Sequence, residues 1–182
     1  LFTWPDLESV VINIDDPAGR RLASDVAPTV NSVVYGLNAE VVRANEDQQT
    51  GVAIRHLWAD EVRLNPNGLH IAVNGSWGRG VLGAPLLGRF NASNLMAVLA
   101  VLLVEGWSLD KALARLAETS PVPGRMERFG KEAGPLLVVD YAHTPDALRQ
   151  ALGALHEHCS GDLWCVFGCG GDRDRGKRPV MG

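Results

Sequence analysis

Residues Leu136 to Phe167 read LLVVDYAHTPDALRQALGALHEHCSGDLWCVF, and this stretch decides the fold class. Leu136 to Tyr141 is an apolar run of strand length. Thr144 stands where it can cap a helix, and Pro145 takes the first helical position, where a missing N–H costs nothing. Ala147, Leu148, Ala151, Leu152 and Leu155 then recur at helical spacing and give one apolar stripe. Leu163 to Phe167 is a second strand-like run. Strand, helix and strand make a βαβ unit, which predicts an α/β fold with a parallel sheet and a right-handed crossover.

In open parallel sheets, ligands gather beyond the carboxyl ends of the strands. Asp140-Tyr141-Ala142-His143-Thr144-Pro145 follows the first predicted strand. Gly168-Cys169-Gly170-Gly171-Asp172-Arg173-Asp174-Arg175-Gly176-Lys177-Arg178-Pro179 follows the second. Glycine lets backbone approach a ligand closely, and the arginine fork grips carboxylate or phosphate at two points. The alternative is a pair of polar surface loops at strand ends.

Upstream, Pro121-Val122-Pro123-Gly124 reads as a linker and sets a predicted domain boundary, 1–121 and 122–182. Before it, Ala92 to Glu105 is apolar nearly all round and is predicted as a deeply buried helix ended by Gly106. Ser108 is placed to cap a further helix through about Ala117. Between Thr29 and Leu87, β-rich runs at Ser32–Tyr35, Val41–Ala44, Val52–Leu57 and Leu69–Val73 alternate with turn residues, predicting a small, mostly antiparallel section. Val10 to Ile14 reads as a buried strand, with Pro17 opening a short helix.

The chain has 182 residues, 46% hydrophobic and 21% charged, with a formal net charge of -4, which fits a globular protein with a sizeable core. A general electrostatic grip on nucleic acid is not expected at this charge, although Arg173, Arg175, Lys177 and Arg178 form a local basic cluster. Three cysteines, Cys159, Cys165 and Cys169, make a poor disulfide framework and point to a reducing compartment. The longest apolar run, Leu95 to Val104, falls short of the roughly 20 residues of a membrane span. Leu1-Phe2-Thr3-Trp4 holds no initiator Met and no basic leader, and the chain stops at Val180-Met181-Gly182 as a helix begins. Both ends are therefore expected to be internal to a longer protein.

Several motifs lead elsewhere. Gly171 to Lys177 fits the first seven positions of a phosphate loop, but Arg178 replaces the Ser or Thr that reaches magnesium, and Asp172 and Asp174 repel phosphate. Gly168-Cys169-Gly170 lacks the third glycine of a dinucleotide loop, because Arg173 stands there. His156, His158, Cys159, Cys165 and Cys169 do not have zinc spacing, so core cysteines and helix-surface histidines are expected. Asp15 and Asp16 are adjacent and point to opposite faces of a strand, which favours a solvated strand end over joint acid/base work. Asn91 and Asn94 flank a helix start, where capping accounts for one of them and not easily for both.

Taken together, five segments resemble the Mur ligases: NIDDPAGRR from Asn13, LGRFNASNL from Leu87, PVPGRME from Pro121, VVDYAHTPDAL from Val138, and LWCVFGCGGDRDRGKRP from Leu163. The last segment looks like the diaminopimelate-adding type. The resemblance implies the second half of a P-loop-type ATPase central domain with a small β-rich section, followed by the start of a Rossmann-like C-terminal domain. It implies an ATP- and magnesium-dependent, amide-forming ligase of peptidoglycan synthesis. In that chemistry ATP phosphorylates the carboxylate of UDP-N-acetylmuramoyl-L-alanyl-D-glutamate, and the amine of meso-diaminopimelate attacks the acyl phosphate. By motif, Asn94 in FNASN is similar to the family's Asn at the ATP base. Arg125 in GRME and Asp140 in DYAH are similar to nucleotide-binding residues, and His143 belongs to the same loop. Arg173 in GGDRD is similar to the Arg that grips a diaminopimelate carboxylate. No catalytic residue and no metal ligand is carried over, because the family's phosphate loop, magnesium-binding Glu and His, and carbamylated Lys belong upstream. The DNPR recognition motif belongs downstream.

Two other readings stand beside this one: a folylpolyglutamate-type amide ligase, which the DYAHTP and GRME wording argues against, and a non-catalytic nucleotide-binding module. Without a phosphate loop, the isolated chain is expected to show no magnesium-dependent ATP turnover above background in a phosphate-release assay, and measurable turnover by the purified chain would overturn that expectation.

Overall fold

The computed structural model describes residues 6–48, 54–130, 134–170 and 175–182. Its larger sheet has the order β1 (Ser9–Asn13), β2 (Asn31–Gly36), β3 (Ile54–Asn65), β4 (Gly68–Gly75) and β5 (Gly78–Ala84). β1, β2 and β3 run parallel, whereas β3, β4 and β5 are antiparallel neighbours. The antiparallel section predicted between Thr29 and Leu87 is therefore only the β3–β5 half. The parallel half is joined through α1 (Pro17–Asp25) and α2 (Ala39–Gln48).

Both faces of the parallel half are covered, which explains why β2 is apolar on successive residues, whereas β4 and β5 leave His70 and Val81 exposed on an open face. Val10, Ile12 and Val34 pack with Ala23 of α1, Val42 of α2 and Trp58 on one face. Val33, Tyr35, Leu57, Ile71 and Leu82 pack on the other, against α3 (Arg89–Val104) and α4 (Leu109–Ala117). Residues Val41 to Ala44, predicted as a strand, lie in α2. The Asn38 Oδ1 accepts hydrogen bonds from the N–H groups of Glu40 and Val41 and starts a helix there, and this local cap overrides the β preference of two valines.

β1 ends in a tight corner. The Asp16 carboxylate caps α1 through the Ala18 N–H at 2.6 Å, while Asp15 accepts from the N–H groups of Leu37 (2.6 Å) and Asn38 (3.1 Å). The two carboxylates serve separate backbone segments. α1 passes so close to β1 that a Cβ on Gly19 would stand 1.7 Å from the Asn13 carbonyl oxygen.

β5 has three glycines within seven residues and little strand propensity, so it escaped prediction. Gly80 is there for packing: a Cβ would lie 2.4 Å from Leu113 Cδ1 of α4. α3 was expected to be buried all round. Its Leu95, Met96, Leu99, Ala100 and Leu103 are buried, but Val98 and Val101 are each 47% exposed, since the sheet covers only one side of the helix. Gly106 (φ 83°) follows α3, and Ser108 stands at the N-cap of α4 without a side-chain cap bond.

Past the Pro/Gly stretch, β6 (Glu127–Phe129) pairs antiparallel with β7 (Leu137–Val139), and α5 (Pro145–His158) follows, with the Thr144 hydroxyl accepting from the Ala147 N–H. A 3-10 turn and α6 (Arg178–Met181) close the chain. Residues 163–167 do not form the predicted second strand, so no parallel βαβ unit forms with β7. A strand needs a partner's ladder; residues 163–167 pair with no strand among the described residues, and Trp164 and Val166 are 87% and 100% exposed. The cysteines also differ from expectation: Cys159 and Cys165 are exposed, and it is His158, not a cysteine, that is buried. Among the described residues no helix is long and apolar enough to cross a membrane, and no group of three metal-ligating side chains forms.

One polar hub stabilises the β3–β4 hairpin. At the bulge between Ala59 and Glu61, the Asp60 carboxylate accepts from Trp58 Nε1 (2.8 Å), Asn74 Nδ2 (2.9 Å) and Arg43 (2.7 Å). The Asn74 bond, then the Trp58 bond, with Arg43 and Arg79 adding their charge, hold Asp60 below the usual carboxylate range. A depressed folded pKa stabilises the fold above the unfolded value, near 4, and that contribution is lost as pH falls through the folded one. Asp60→Asn is expected to cost about 1 kcal/mol at neutral pH, the Arg43 pair being partly exposed and screened. The gap in Tm between wild type and variant should narrow as pH drops below about 4. Gly19→Ala is expected to cost about 3 kcal/mol or more in chemical denaturation, because backbone must move to admit the methyl.

Candidate functional site

Where α3, the Pro/Gly stretch, the end of β7 and α5 meet, they enclose a cleft of about 420 Å³. Asn91 and Asn94, on the first turns of α3, form one wall. Thr119 to Val122, exposed Arg125 and buried Met126 also line it. Asp140, at the end of β7, and Ala147, Gln150 and Ala151 of α5 form the opposite wall.

The α3 wall is built by tethers at its first turn. Asn91 does not cap the helix: its Nδ2 donates to the Leu87 carbonyl at 2.8 Å, and its Oδ1 accepts from Asn94 Nδ2 at 3.2 Å. The N-cap residue is Gly88, at φ 90° and without a side-chain cap. Ser93, on the same turn, accepts from Asn13 Nδ2 at 3.2 Å and ties the helix to the carboxyl end of β1. Burial raises the Tyr35 hydroxyl above its ordinary range, against the opposing pull of hydrogen bonds with Ser93 and Asn13, so it serves there as a neutral partner.

The placement of Arg125 depends on a strained turn. Met126 is buried and stands at φ 49°, a left-handed conformation uncommon for a residue of its size. Three bonds hold the turn: the Met126 N–H donates to Asp140 Oδ2 (3.0 Å), the Arg125 N–H to the Val122 carbonyl (2.9 Å), and the Gly124 N–H to Glu127 Oε2 (2.7 Å). The other Asp140 oxygen accepts from the Ala142 N–H at 2.9 Å. Asp140 thus joins the Arg125 turn to the loop after β7. The Arg125 guanidinium lies 4.8 Å over the Tyr141 ring, a cation–π contact that extends it along the cleft mouth.

Of the residues singled out in the sequence, Asn94, Arg125 and Asp140 line this one cleft, although they come from three separate segments. His143 does not line it. Its ring stacks edge-on with Tyr141 at 5.2 Å, its Nδ1 is 3.1 Å from the Tyr141 carbonyl oxygen, and its own carbonyl accepts from Lys177 Nζ at 3.2 Å. Arg173, with Gly171, Asp172 and Asp174, lies outside the described residues. The phosphate-loop look-alike at Gly171 to Lys177 is described only at its end, where Arg175 to Lys177 form the 3-10 turn. Sequence reasoning missed Phe90, Gln150 and Tyr141. Tyr141 was within sight, since an aromatic directly after Asp140 at a strand end is placed to carry a cation.

Comparison with known proteins places this geometry. The Mur ligase middle domain matches residues 1–102, and the Mur ligase glutamate ligase domain matches residues 124–182. A UDP-N-acetylmuramoyl-L-alanyl-D-glutamate--2,6-diaminopimelate ligase of Ralstonia nicotianae is 50% identical over the whole chain, and one of Coxiella burnetii is 45% identical. The chain spans 35% of the length of each. A solved structure of a ligase of that name superposes on 99% of the chain with a TM-score of 0.70 at 34% identity, the chain covering 35% of it. Folylpolyglutamate synthetase from Lactobacillus casei shares the fold at a TM-score of 0.55 over 87% of the chain, at 21% identity. With two family domains matched in order along it and relatives of one name aligned over its whole length, the chain belongs to the Mur ligase family.

Proposed function

We propose that the chain is the middle of an ATP-dependent ligase that adds meso-diaminopimelate to UDP-N-acetylmuramoyl-L-alanyl-D-glutamate in the cytoplasm, with its domain boundary at 121/122, and that the cleft holds the adenosine end of ATP. The observation that carries this reading is the meeting of Asn94, Arg125 and Asp140 in one cleft of about 420 Å³. That volume falls in the usual range for a small-molecule site. The close relatives' names supply the substrates.

The residues suit an adenine nucleotide. A side-chain amide pairs with the amino edge of adenine by giving a carbonyl to N6 and an N–H to a ring nitrogen; Asn94, braced by Asn91, is the amide available. The apolar surface of Phe90 and Ala147 suits the faces of a base. Arg125 provides positive charge at the mouth, where a phosphate chain would leave. Asp140, committed to two backbone N–H groups, holds Arg125 in place, and its remaining lone pairs suit a ribose hydroxyl. His143, beside Lys177, stands at the outer edge of the same loop.

Phosphorylation of the glutamate carboxylate would relieve the charge that repels an incoming amine, and basic groups and magnesium would stabilise the transferring phosphoryl group. This chain's share is to orient the nucleotide. Arg173 is proposed as the fork that receives a diaminopimelate carboxylate.

The test is shift mapping by NMR with AMP as the probe. Perturbations are expected at Asn91, Asn94, Arg125 and Gln150. Asn94→Ala and Arg125→Ala are each expected to weaken binding about tenfold, equivalent to about 1.4 kcal/mol. Shifts spread elsewhere, or unchanged affinity in both variants, would refute the site.

A further inference from the structure

His158, the last residue of α5, is buried and uses both ring nitrogens on backbone of the other side of the molecule. The Gly88 N–H donates to its Nε2 at 2.8 Å, and its Nδ1 lies 2.7 Å from the Asn65 carbonyl oxygen. A carbonyl only accepts and an amide N–H only donates, so the pair of contacts requires the neutral ring with its proton on Nδ1. Gly88 is the N-cap of α3, the helix whose next turns carry Asn91 and Asn94. Asn65 ends β3 at the β3–β4 turn.

Other links between the two sides are weaker or less direct. Arg89 and Glu157 form an ion pair at 3.6 Å with both side chains about half exposed, and Arg128 donates to the Asn67 carbonyl at 2.9 Å from β6. Leu87 and Met126 pack with Ala151 and Ala154, contacts that are apolar and set no direction. Among the described residues, the imidazole makes the short, directional hydrogen bond between α5 and the start of α3, the two helices that wall the cleft.

We propose that His158 is a positioning residue of the cleft: as the neutral Nδ1–H tautomer it clasps α5 to the first turn of α3 and so fixes the distance between Asn94 and the Asp140 wall. It touches no ligand itself. The effect on nucleotide affinity rests on the reading of the cleft given above; the effect on helix orientation does not.

Three measurements on the full 182-residue chain decide it. Long-range 15N–1H spectra of the wild type are expected to show Nδ1 protonated and Nε2 bare; the opposite tautomer, or rapid averaging of the two, overturns the clasp. Residual dipolar couplings are expected to give one fixed orientation of α3 relative to α5, blurred in His158→Phe and restored in His158→Gln, whose amide oxygen can accept from Gly88. Orientation unchanged in His158→Phe, with circular dichroism showing it folded, overturns the positioning role. If His158→Phe does not fold, His158→Gln against His158→Asn decides, since only the former keeps an acceptor at the Nε2 position; equal behaviour of the two overturns the proposal. AMP affinity is expected to fall about fivefold in His158→Phe and recover in His158→Gln. No AMP binding by wild type would refute the nucleotide site and leave the clasp to be decided by the tautomer and the couplings.

Discussion

Everything near the cleft depends on how the first turn of α3 is tied down. A helix start leaves backbone donors without internal partners, and a glycine N-cap offers no side chain to satisfy them. Gly88 is instead held from outside through its N–H, which donates to His158, while its carbonyl accepts from the Asn91 N–H of the helix itself. Ser93 anchors the next residues to Asn13 at the end of β1, and Leu87 is buried against Met126 and α5. Three separate parts of the chain thus converge on one turn, and Asn91 and Asn94 inherit their positions from that convergence.

The two sides of this junction are stabilised very differently. The parallel half of the five-stranded sheet has helices on both faces, and the larger core runs without a break from Val33 through Leu82 to Leu116. The C-terminal side has a two-stranded ribbon and one long helix, with Leu137, Val139, Trp164 and Val166 largely exposed. A two-stranded ribbon is marginal alone in water. Its order therefore leans on the junction: on Met126 and Ala154 packed beneath Leu87, on Arg128 reaching Asn67, and on His158.

How far this was legible in the sequence follows from the range of each interaction. Thr144-Pro145 and Asp16-Pro17 announce helix starts through bonds that span two or three residues, and α5 and α1 begin there. α3 was readable from apolar density, though not its exposed side, because Val98 and Val101 look like any other buried valine until the sheet's width is known. Val41 to Ala44 failed because Asn38, just upstream, decides the conformation. Leu163 to Phe167 failed because strand formation depends on a distant partner, whereas apolar composition does not. Asn94, Arg125 and Asp140 were singled out through their motifs, since each sits in a distinctive short segment, and the fold brings the three to one cleft. His158 was passed over as a surface histidine: nothing in HEHCSG reveals that Gly88 and Asn65, far away in the chain, will present one donor and one acceptor to the same ring.

The strain at Met126 connects these points. A bulky residue at positive φ persists only where its surroundings over-determine it. Here they do: the Asp140 carboxylate takes its N–H, and its side chain fills the space between Leu87 and α5. Relaxing Met126 to an ordinary conformation would release Asp140 from the turn, swing Arg125 off Tyr141 and open the apolar seam under α3. The turn is therefore held from both sides of the junction, and each side is held partly through the turn. A ligand touching Asn94 on one wall and Arg125 on the other would bind best when this arrangement is intact and would stabilise it in proportion to the logarithm of its concentration. On that argument the carboxylate at the end of β7 has a mechanical role: it keeps a strained turn in place so that the two walls present a single cleft.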